Sequence, residues 1–597
     1  MTKKFYVTTA IDYVNAEPHI GHAFEKVIAD AFVRWKRSKG ENVFFLTGVD
    51  ENAQKNVQAA ESSGIPVKEF IDKNTASFVE LCRKLDISYS NFIRTTDKKH
   101  SIEVKKIVKK IIDEGDIYKG IYEGLYCVGC EAYYTEKDLI DGKCPEHNKK
   151  PELRKEEAYF FKLSKYEKEL KKIIPKYVLP KFRGNEVLSR IDEGLKDICV
   201  SRKGATWGIS FPNDENYKIW VWIDALLNYY SGADGNWPAD LHIIGKGINW
   251  FHSVIWPAIL LSAKVPLPKK LFVHGYLNTE GKKMSKSLGN VISPLKLIEK
   301  YGTDAVRYSL LRCSVFEDTD YSERILVTRY NNELANKLGN LVSRVSGLIE
   351  KTGIEKTPNK LIKKLNEKKI NKFMENYELD KALNEIFSFI DNCNEYVQKK
   401  KPWETKDKKV LYELKESLLK VAELLSPFIP ESAEKIKKDF SAKKIKKGEP
   451  LFVKIEFSTP KSVPQIMKVN GKEKINKFKK PEGIMSVDEV EFKEWEKMDL
   501  RVAQIKKVED IPGADKLYKL SIDVGELGVR IICAGLKEFY TKDRLKSKKI
   551  IYFANLKPRM MKGIESQGML LAASTEDHKK VSLILPDSEV ENGSRIG

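Results

Sequence analysis

The first fifty residues carry the pattern that most restricts the fold. "KKFYVTTAI" is a short apolar run of strand type, and "HIGHAFEKVIADAFVRWKRSKG" spaces its apolar residues helically and closes on a glycine. "NVFFLTGVD" is a second apolar run. Strand, helix and strand joined by short links read as a βαβ unit, which predicts a parallel sheet covered by helices. Further strand candidates follow in "YKIWVWIDALLNYY", "DLHIIG" and "KLFVHGYL". The α/β domain is therefore expected in two halves, 1–115 and 218–275, around an insertion at 116–217.

At 597 residues the chain exceeds what one hydrophobic core serves, so more domains are expected. A region at 276–324 holds a lysine-rich loop, and 325–458 turns helical with few glycines. Proline, glycine and lysine without apolar periodicity mark 459–486 as a linker. Short strands such as "LYKLSIDVG", "VRIICAG" and "KKIIYFANL" then predict a small β-barrel over 487–597.

Lysine plus arginine exceed aspartate plus glutamate by 106 − 85 = 21. Such an excess suits a polyanionic partner, nucleic acid or a membrane surface, but a lysine-favouring composition produces the same number. No run approaches the ~20 apolar residues of a membrane span, and "MTKKFYVTTAIDYV" lacks the apolar stretch of a signal peptide. A cytoplasmic protein without a membrane partner is expected. Of eight cysteines, three fall between Cys127 and Cys144, a pattern of one metal site and not of a disulfide framework.

"PHIGHA" opens the first helix directly after a strand, where backbone N–H groups and the helix dipole favour anions. His19 and His22 stand one turn apart and can donate to phosphate oxygens, with Gly21 leaving room for a ligand at the backbone. The bland alternative is a capped helix with incidental histidines. "GKKMSKSLGN", Gly281 to Asn290, groups Lys282, Lys283 and Lys286 with Ser285 and Ser287 in a cationic loop suited to phosphate. It is no Walker A loop, since "GYLNTEGKK" has the wrong spacing and no hydroxyl residue after the lysine. "CVGC…CPEH" supplies Cys127, Cys130, Cys144 and His147 as two close pairs, the makeup of a closed, tetrahedral, structural zinc site.

H-x-G-H after the first strand and K-M-S-K-S after a late one are the paired signatures of class I aminoacyl-tRNA synthetases. The chain resembles the methionyl-tRNA synthetases, bacterial type, over essentially its whole length. The resemblance implies a Rossmann-like catalytic domain with a zinc-knuckle insertion, an α-helical anticodon-binding domain and a C-terminal oligonucleotide-binding (OB-fold) β-barrel. It implies that L-methionine attacks the α-phosphate of ATP, with Mg2+, and that the adenylate passes to the 3′ end of tRNA(Met). His19, Gly21, His22, Lys283 and Lys286 would then serve the phosphates. Tyr13, Asp50, Trp222, Ala225, Tyr229 and His274 would form the methionine pocket. Asn340, Arg344 and Trp403 match the anticodon readers, a polar pair four apart and an indole for stacking. Lys557, Arg559 and Ser566, with Lys562, form a candidate tRNA-backbone patch on a domain that in this family also dimerises.

The chain departs from the family pattern in two places. Asp50-Glu51-Asn52-Ala53 stands where Asp-Glu-His-Gly is common, and Ala10, Asp12 and Val14 surround the first tyrosine in place of prolines. Synthetases for valine, isoleucine and leucine carry a larger editing insertion than the ~100 residues here, and the zinc of a cysteine enzyme would need ligands beside the pocket. A silent RNA-binding descendant of the fold is disfavoured by intact histidines and lysines in both phosphate motifs.

Overall fold

The computed structural model describes residues 4–130, 132–134, 139–145, 148–279, 282–283, 291–455, 495, 497–574, 581–586 and 590–596. The expected linker, 459–486, lies outside them. Two compact units are present, Met1–Val463 and Pro464–Gly597.

The first unit is built on β1 (Phe5–Thr9), β2 (Asp12–Tyr13), α1 (Ile20–Ser38), β3 (Val43–Asp50), β4 (Asn91–Arg94), β5 (Val178–Leu179), α2 (Val221–Ser231), β6 (Leu241–Gly245) and β7 (Leu271–His274). Its seven strands form one sheet in the order β2-β3-β1-β6-β7-β5, with β4 also on β3, and every pairing is parallel. All eight residues of β3 are buried, as expected for a parallel strand covered on both faces. Gly48 is required there, because a Cβ would stand 2.2 Å from the Ile93 carbonyl oxygen of β4. The chain moves from β1 to β3 on one side and later adds β6 and β7 on the other. That reversal opens a crevice at the carboxyl ends of β1 and β6, where doubly wound sheets bind nucleotides.

In the stretch read from sequence as an insertion, Ile117–Cys127 pairs antiparallel to Glu152–Phe161 in a four-stranded sheet. The insertion does not run unbroken to 217. Within that stretch, β5 pairs with β7 (Val178 with Leu271, Leu179 with Phe272) and belongs to the parallel sheet. Two residues are too few to show a strand period in sequence. A second correction concerns "YKIWVWIDALLNYY", where the strand Asp214–Ile219 ends at the third residue and Val221 opens α2. A continuous apolar run does not distinguish a strand from a buried helix.

The helical region includes Glu323–Arg329, π-helical turns over Tyr330–Gly339, Asn340–Thr352, Leu379–Lys400, Lys408–Leu425 and Pro430–Ser441. These share one core with α1. Arg307 ties them to α1: its guanidinium is 2.7 Å from Asp30 of that helix, both side chains fully buried, and donates to the Leu85, Pro427 and Phe428 carbonyls.

In the second unit, Val529–Ala534, Tyr518–Asp523, Leu500–Asp510, Lys549–Phe553 and Met569–Leu570 make an antiparallel sheet in that order. Its ends meet, since Gln567 N–H donates to the Ile531 carbonyl (2.8 Å) and Cys533 N–H to the Ser566 hydroxyl oxygen (3.0 Å). The expected barrel is thereby closed around a core that includes Ile505, Leu520, Ile532 and Tyr552.

Candidate active-site cleft

A cleft of about 1340 Å³ lies at the carboxyl ends of the parallel strands. His19, Gly21 and His22 line it from α1, and Tyr13 and Asp50 from the sheet edge. Trp222, Ala225 and Tyr229 line it from α2, and His274 from the end of β7. Ten of the residues singled out from sequence, counting Cys127, thus face one space.

The histidine pair forms the N-terminal cap of α1. His19 Nδ1 accepts from the Gly21 N–H (3.1 Å), and His22 Nδ1 accepts from the His19 N–H (3.1 Å). The rings stack at 3.7 Å, 19° from parallel. An imidazole nitrogen that accepts carries no proton, so the cap leaves Nε2 as the N–H of each neutral ring. Capping and phosphate donation are therefore compatible in the same two residues. A Cβ on Gly21 would meet His19 Cε1 at 2.9 Å, so the glycine makes room for the capping ring. That differs from the expected room for a ligand.

Asp12 forms an ion pair with Lys26, whose side chain is fully buried, and lies 3.8 Å from His22 Nε2. Burial alone would lower the Lys26 pKa, but Asp12 holds it above the ordinary value. The departure at Asp12 thus has its partner in the following helix.

β2 sets Tyr13 beside Asp50 as Cα partners. Asp50 Oδ1 accepts from the Asn52 N–H (3.1 Å), and Lys55 Nζ lies 3.2 Å from the Tyr13 ring centroid. Asn52 Nδ2 donates to Asp224 Oδ2 (2.7 Å), while Asp224 Oδ1 sits 2.6 Å from buried His100. The departure at Asn52 is therefore built into a polar link between Asp50's loop and α2.

On α2, Trp222, Ala225 and Tyr229 fall at i, i+3 and i+7 and share a face. Trp222 stacks on Phe251 at 3.7 Å and donates its indole N–H to the Cys130 carbonyl (3.2 Å). The Tyr229 hydroxyl is 2.7 Å from His252 Nε2, and His252 Nδ1 is 3.0 Å from the Ile248 carbonyl. A carbonyl only accepts, so Nδ1 holds the proton and Tyr229 donates to Nε2. Burial lowers the His252 pKa to about 4, which keeps the ring neutral. His252, Lys55 and Glu25 line the cleft without having been singled out from sequence. "WFHSV" and "HAFEK" gave no spacing signal for the first and last.

The sulfurs of Cys127, Cys130 and Cys144 all lie within 4.8 Å of one another, and the Tyr134 hydroxyl is 2.8 Å from Cys130 Sγ. Three convergent soft donors fit zinc; His147, the expected fourth ligand, lies outside the described residues. Lys286, Ser285 and Ser287 also lie outside them. Lys283 is described as backbone in the short strand Lys282–Lys283, paired with Asn278. Beyond the loop, Val291 lines the cleft and the Ile292 carbonyl accepts from the Ile20 N–H of α1 (3.0 Å).

Asn340 is exposed at the start of its helix, and the Arg344 guanidinium lies 5.6 Å from the Trp403 ring. Trp403 is 41% exposed, so it is not an interhelical core residue. In the barrel, Lys557, Arg559 and Lys562 are exposed. Ser566 is not a surface contact: it is buried, accepts from Cys533 N–H and donates to the Gly568 carbonyl (3.2 Å). Its place four residues from Lys562 in sequence concealed its role in closing the barrel.

The family model "tRNA synthetases class I (M)" matches residues 5–150 and 136–346. An anticodon-binding domain of tRNA ligases matches 359–513, and a tRNA binding domain matches 500–595. The methionine–tRNA ligase of Caldanaerobacter subterraneus is 40% identical, covering 100% of both chains. That of Thermotoga maritima is also 40% identical, over 99% of this chain and 100% of the relative. Among solved structures, the Mycobacterium tuberculosis methionyl-tRNA synthetase in complex with methionyl-adenylate superposes with a TM-score of 0.70. It is 36% identical and covers 73% of this chain and 93% of its own.

Proposed function

The chain belongs to the methionine–tRNA ligases of class I, and from that membership and the cleft we infer how its residues divide the work. The enzyme activates L-methionine with ATP to methionyl-adenylate and transfers it to tRNA. The observation that carries this reading is the convergence of the histidine cap, Asp50 and the α2 aromatics on one cleft at the switch point of the sheet.

The reacting groups belong to the substrates, so the protein's contribution is positioning and electrostatic stabilisation. The Nε2–H groups of His19 and His22 donate to ATP phosphates at the positive end of α1. Leu277 and Val291, on either side of the lysine loop, line the cleft, and Ile292 is bonded to Ile20 of α1, which supports Lys283 and Lys286 as the cations that close over the leaving pyrophosphate. Asp50 pairs with the substrate ammonium, and Trp222, Ala225 and Tyr229 enclose the thioether, a soft group well suited to aromatic walls. Tyr13 and His274 complete the pocket.

Cys127, Cys130, Cys144 and His147 hold a structural zinc, which when bound cross-links the knuckle; the close sulfurs support it. Asn340, Arg344 and Trp403 read the anticodon of tRNA(Met), and Lys557 and Arg559 grip tRNA phosphates. The barrel exposes Val529, Met560 and Met569, apolar surface that favours a homodimer through this domain. Sedimentation of the chain with and without residues beyond 486 tests the dimer. No helix among the described residues is long and apolar enough to cross a membrane, and cytoplasmic tRNA charging is the reading we adopt. Charging of tRNA with labelled methionine tests the whole; Lys286→Ala should slow adenylate formation much more than it weakens methionine binding.

A further inference from the structure

The two ends of the methionine pocket hang on different elements. Asp50 ends β3, while Trp222, Ala225 and Tyr229 belong to α2. Asn52 spans the gap between them. Its backbone N–H donates to Asp50 Oδ1 (3.1 Å), and its side-chain amide donates to Asp224 Oδ2 of α2 (2.7 Å) and to the Thr95 carbonyl (3.1 Å). Both side-chain partners only accept, so the amide nitrogen faces them and both of its hydrogens are used. Asp224 is 1% exposed, and its other oxygen is also held. That Oδ1 lies 2.6 Å from Nε2 of buried His100, whose Nδ1 lies 2.7 Å from the hydroxyl of Ser231, the last residue of α2.

Neither Asn52 nor Asp224 is among the described residues that line the cleft. Their link therefore acts through what it holds. Asp224 stands between Trp222 and Ala225 in α2, and Asn52 stands two residues from Asp50. The next step rests on the reading given above, with Asp50 on the substrate ammonium and the α2 aromatics on its thioether. The distance between those two walls is then the length that the substrate's side chain must match. A pocket tells one methylene from another by about 10- to 200-fold, and does so only while its walls stay put. A buried hydrogen bond to a carboxylate is among the stronger ways to hold them. We propose that Asn52 is a positioning residue that fixes the span from Asp50 to α2 and thereby selects the chain length of the amino acid. Asn52 is also a departure from the family pattern, so the selection is written in this chain's own sequence.

The test is pyrophosphate exchange by the full chain with methionine and with its homologues one methylene shorter and longer, S-methylcysteine and homomethionine. The parent should prefer methionine to both by about tenfold or more. Asn52→Leu keeps the branched shape without the donor, and Asn52→Ala is the second variant. Each should raise the KM for methionine by about tenfold, as for one hydrogen bond to a charged group, and leave the KM for ATP unchanged. Each should also lower the preference for methionine over homomethionine by a similar factor. Asp224→Ala should do the same, and adding Asn52→Ala to it should change little further. A merely loosened fold would slow all three amino acids alike and leave their ratio intact. A parent that takes the homologues as readily as methionine, an unchanged ratio in the variants, or additive effects in the double variant overturns the proposal. So does unfolding of both Asn52 variants in thermal denaturation, which would make the residue a support of the fold and not of the span. Absence of methionine-dependent exchange in the parent would instead remove the activation reading beneath it.

Discussion

His19 and His22 stack at 3.7 Å with each Nδ1 taken by a backbone N–H of the helix they open. The two rings thus cap α1 where it borders the cleft, so the pair that we propose as phosphate donors also stabilises the helix.

The two duties separate by substitution. His19→Ala should lose both, lowering stability by about 1 kcal/mol, the usual cost of a lost N-cap, and slowing adenylate formation. His19→Asn should keep the cap and recover stability without recovering the rate. Gly21→Ala, whose Cβ would meet the His19 ring at 2.9 Å, should behave like the alanine variant. Urea unfolding and rapid-quench adenylate formation measure the two; a normal rate in His19→Asn would return the histidines to a capping role alone.

A hydrogen bond joins the knuckle to the pocket, from the Trp222 indole N–H to the Cys130 carbonyl. One zinc per chain is predicted by metal analysis. Cys144→Ser should lower metal content and raise the KM for methionine more than that for ATP, because Trp222 loses its anchor. Full activity in purified protein without zinc would contradict the assignment.

Stability should fall in mild acid. Burial lowers the His252 pKa from 6.5 to about 4 and lowers that of His242 as well. Between about pH 6.5 and 4 the unfolded chain binds more protons than the folded one, so the contribution is complete above pH 6.5 and drains as pH falls. For His252 it is on the order of 3 kcal/mol. Urea midpoints at several pH values should decline across this window in the parent and less steeply in His252→Gln; equal slopes would mean the ring is not neutral in the fold.

The sequence made the catalytic half readable because its signals are local. α1 declares a helical period between the short apolar runs of β1 and β3, and the histidine and cysteine motifs are short and dense. What escaped depended on contacts far along the chain. β5 is two residues long and is defined only by β7. Ser566 lies four residues from Lys562 in sequence, and its structural partner is Cys533, 33 residues away. Lys26 looks like a surface lysine in sequence and is buried because Asp12 stands opposite. Glu25 differs from other helix glutamates only through His274, 249 residues away.

Trp403→Ala should leave methionine activation intact and impair charging by about 1–3 kcal/mol, the worth of one base-stacking contact. Arg344, 5.6 Å from the ring, should show a non-additive effect when both are replaced. Aminoacylation at subsaturating tRNA measures this, and unchanged kinetics would remove Trp403 from the interface.

The central claim is methionine activation in the α1–α2 cleft, and amino-acid-dependent exchange of pyrophosphate into ATP tests it most directly. Assayed against each of the twenty amino acids, the purified chain should support exchange with methionine alone, and Asp50→Ala should abolish it. Exchange with another amino acid in preference to methionine, or none with any, would contradict the account.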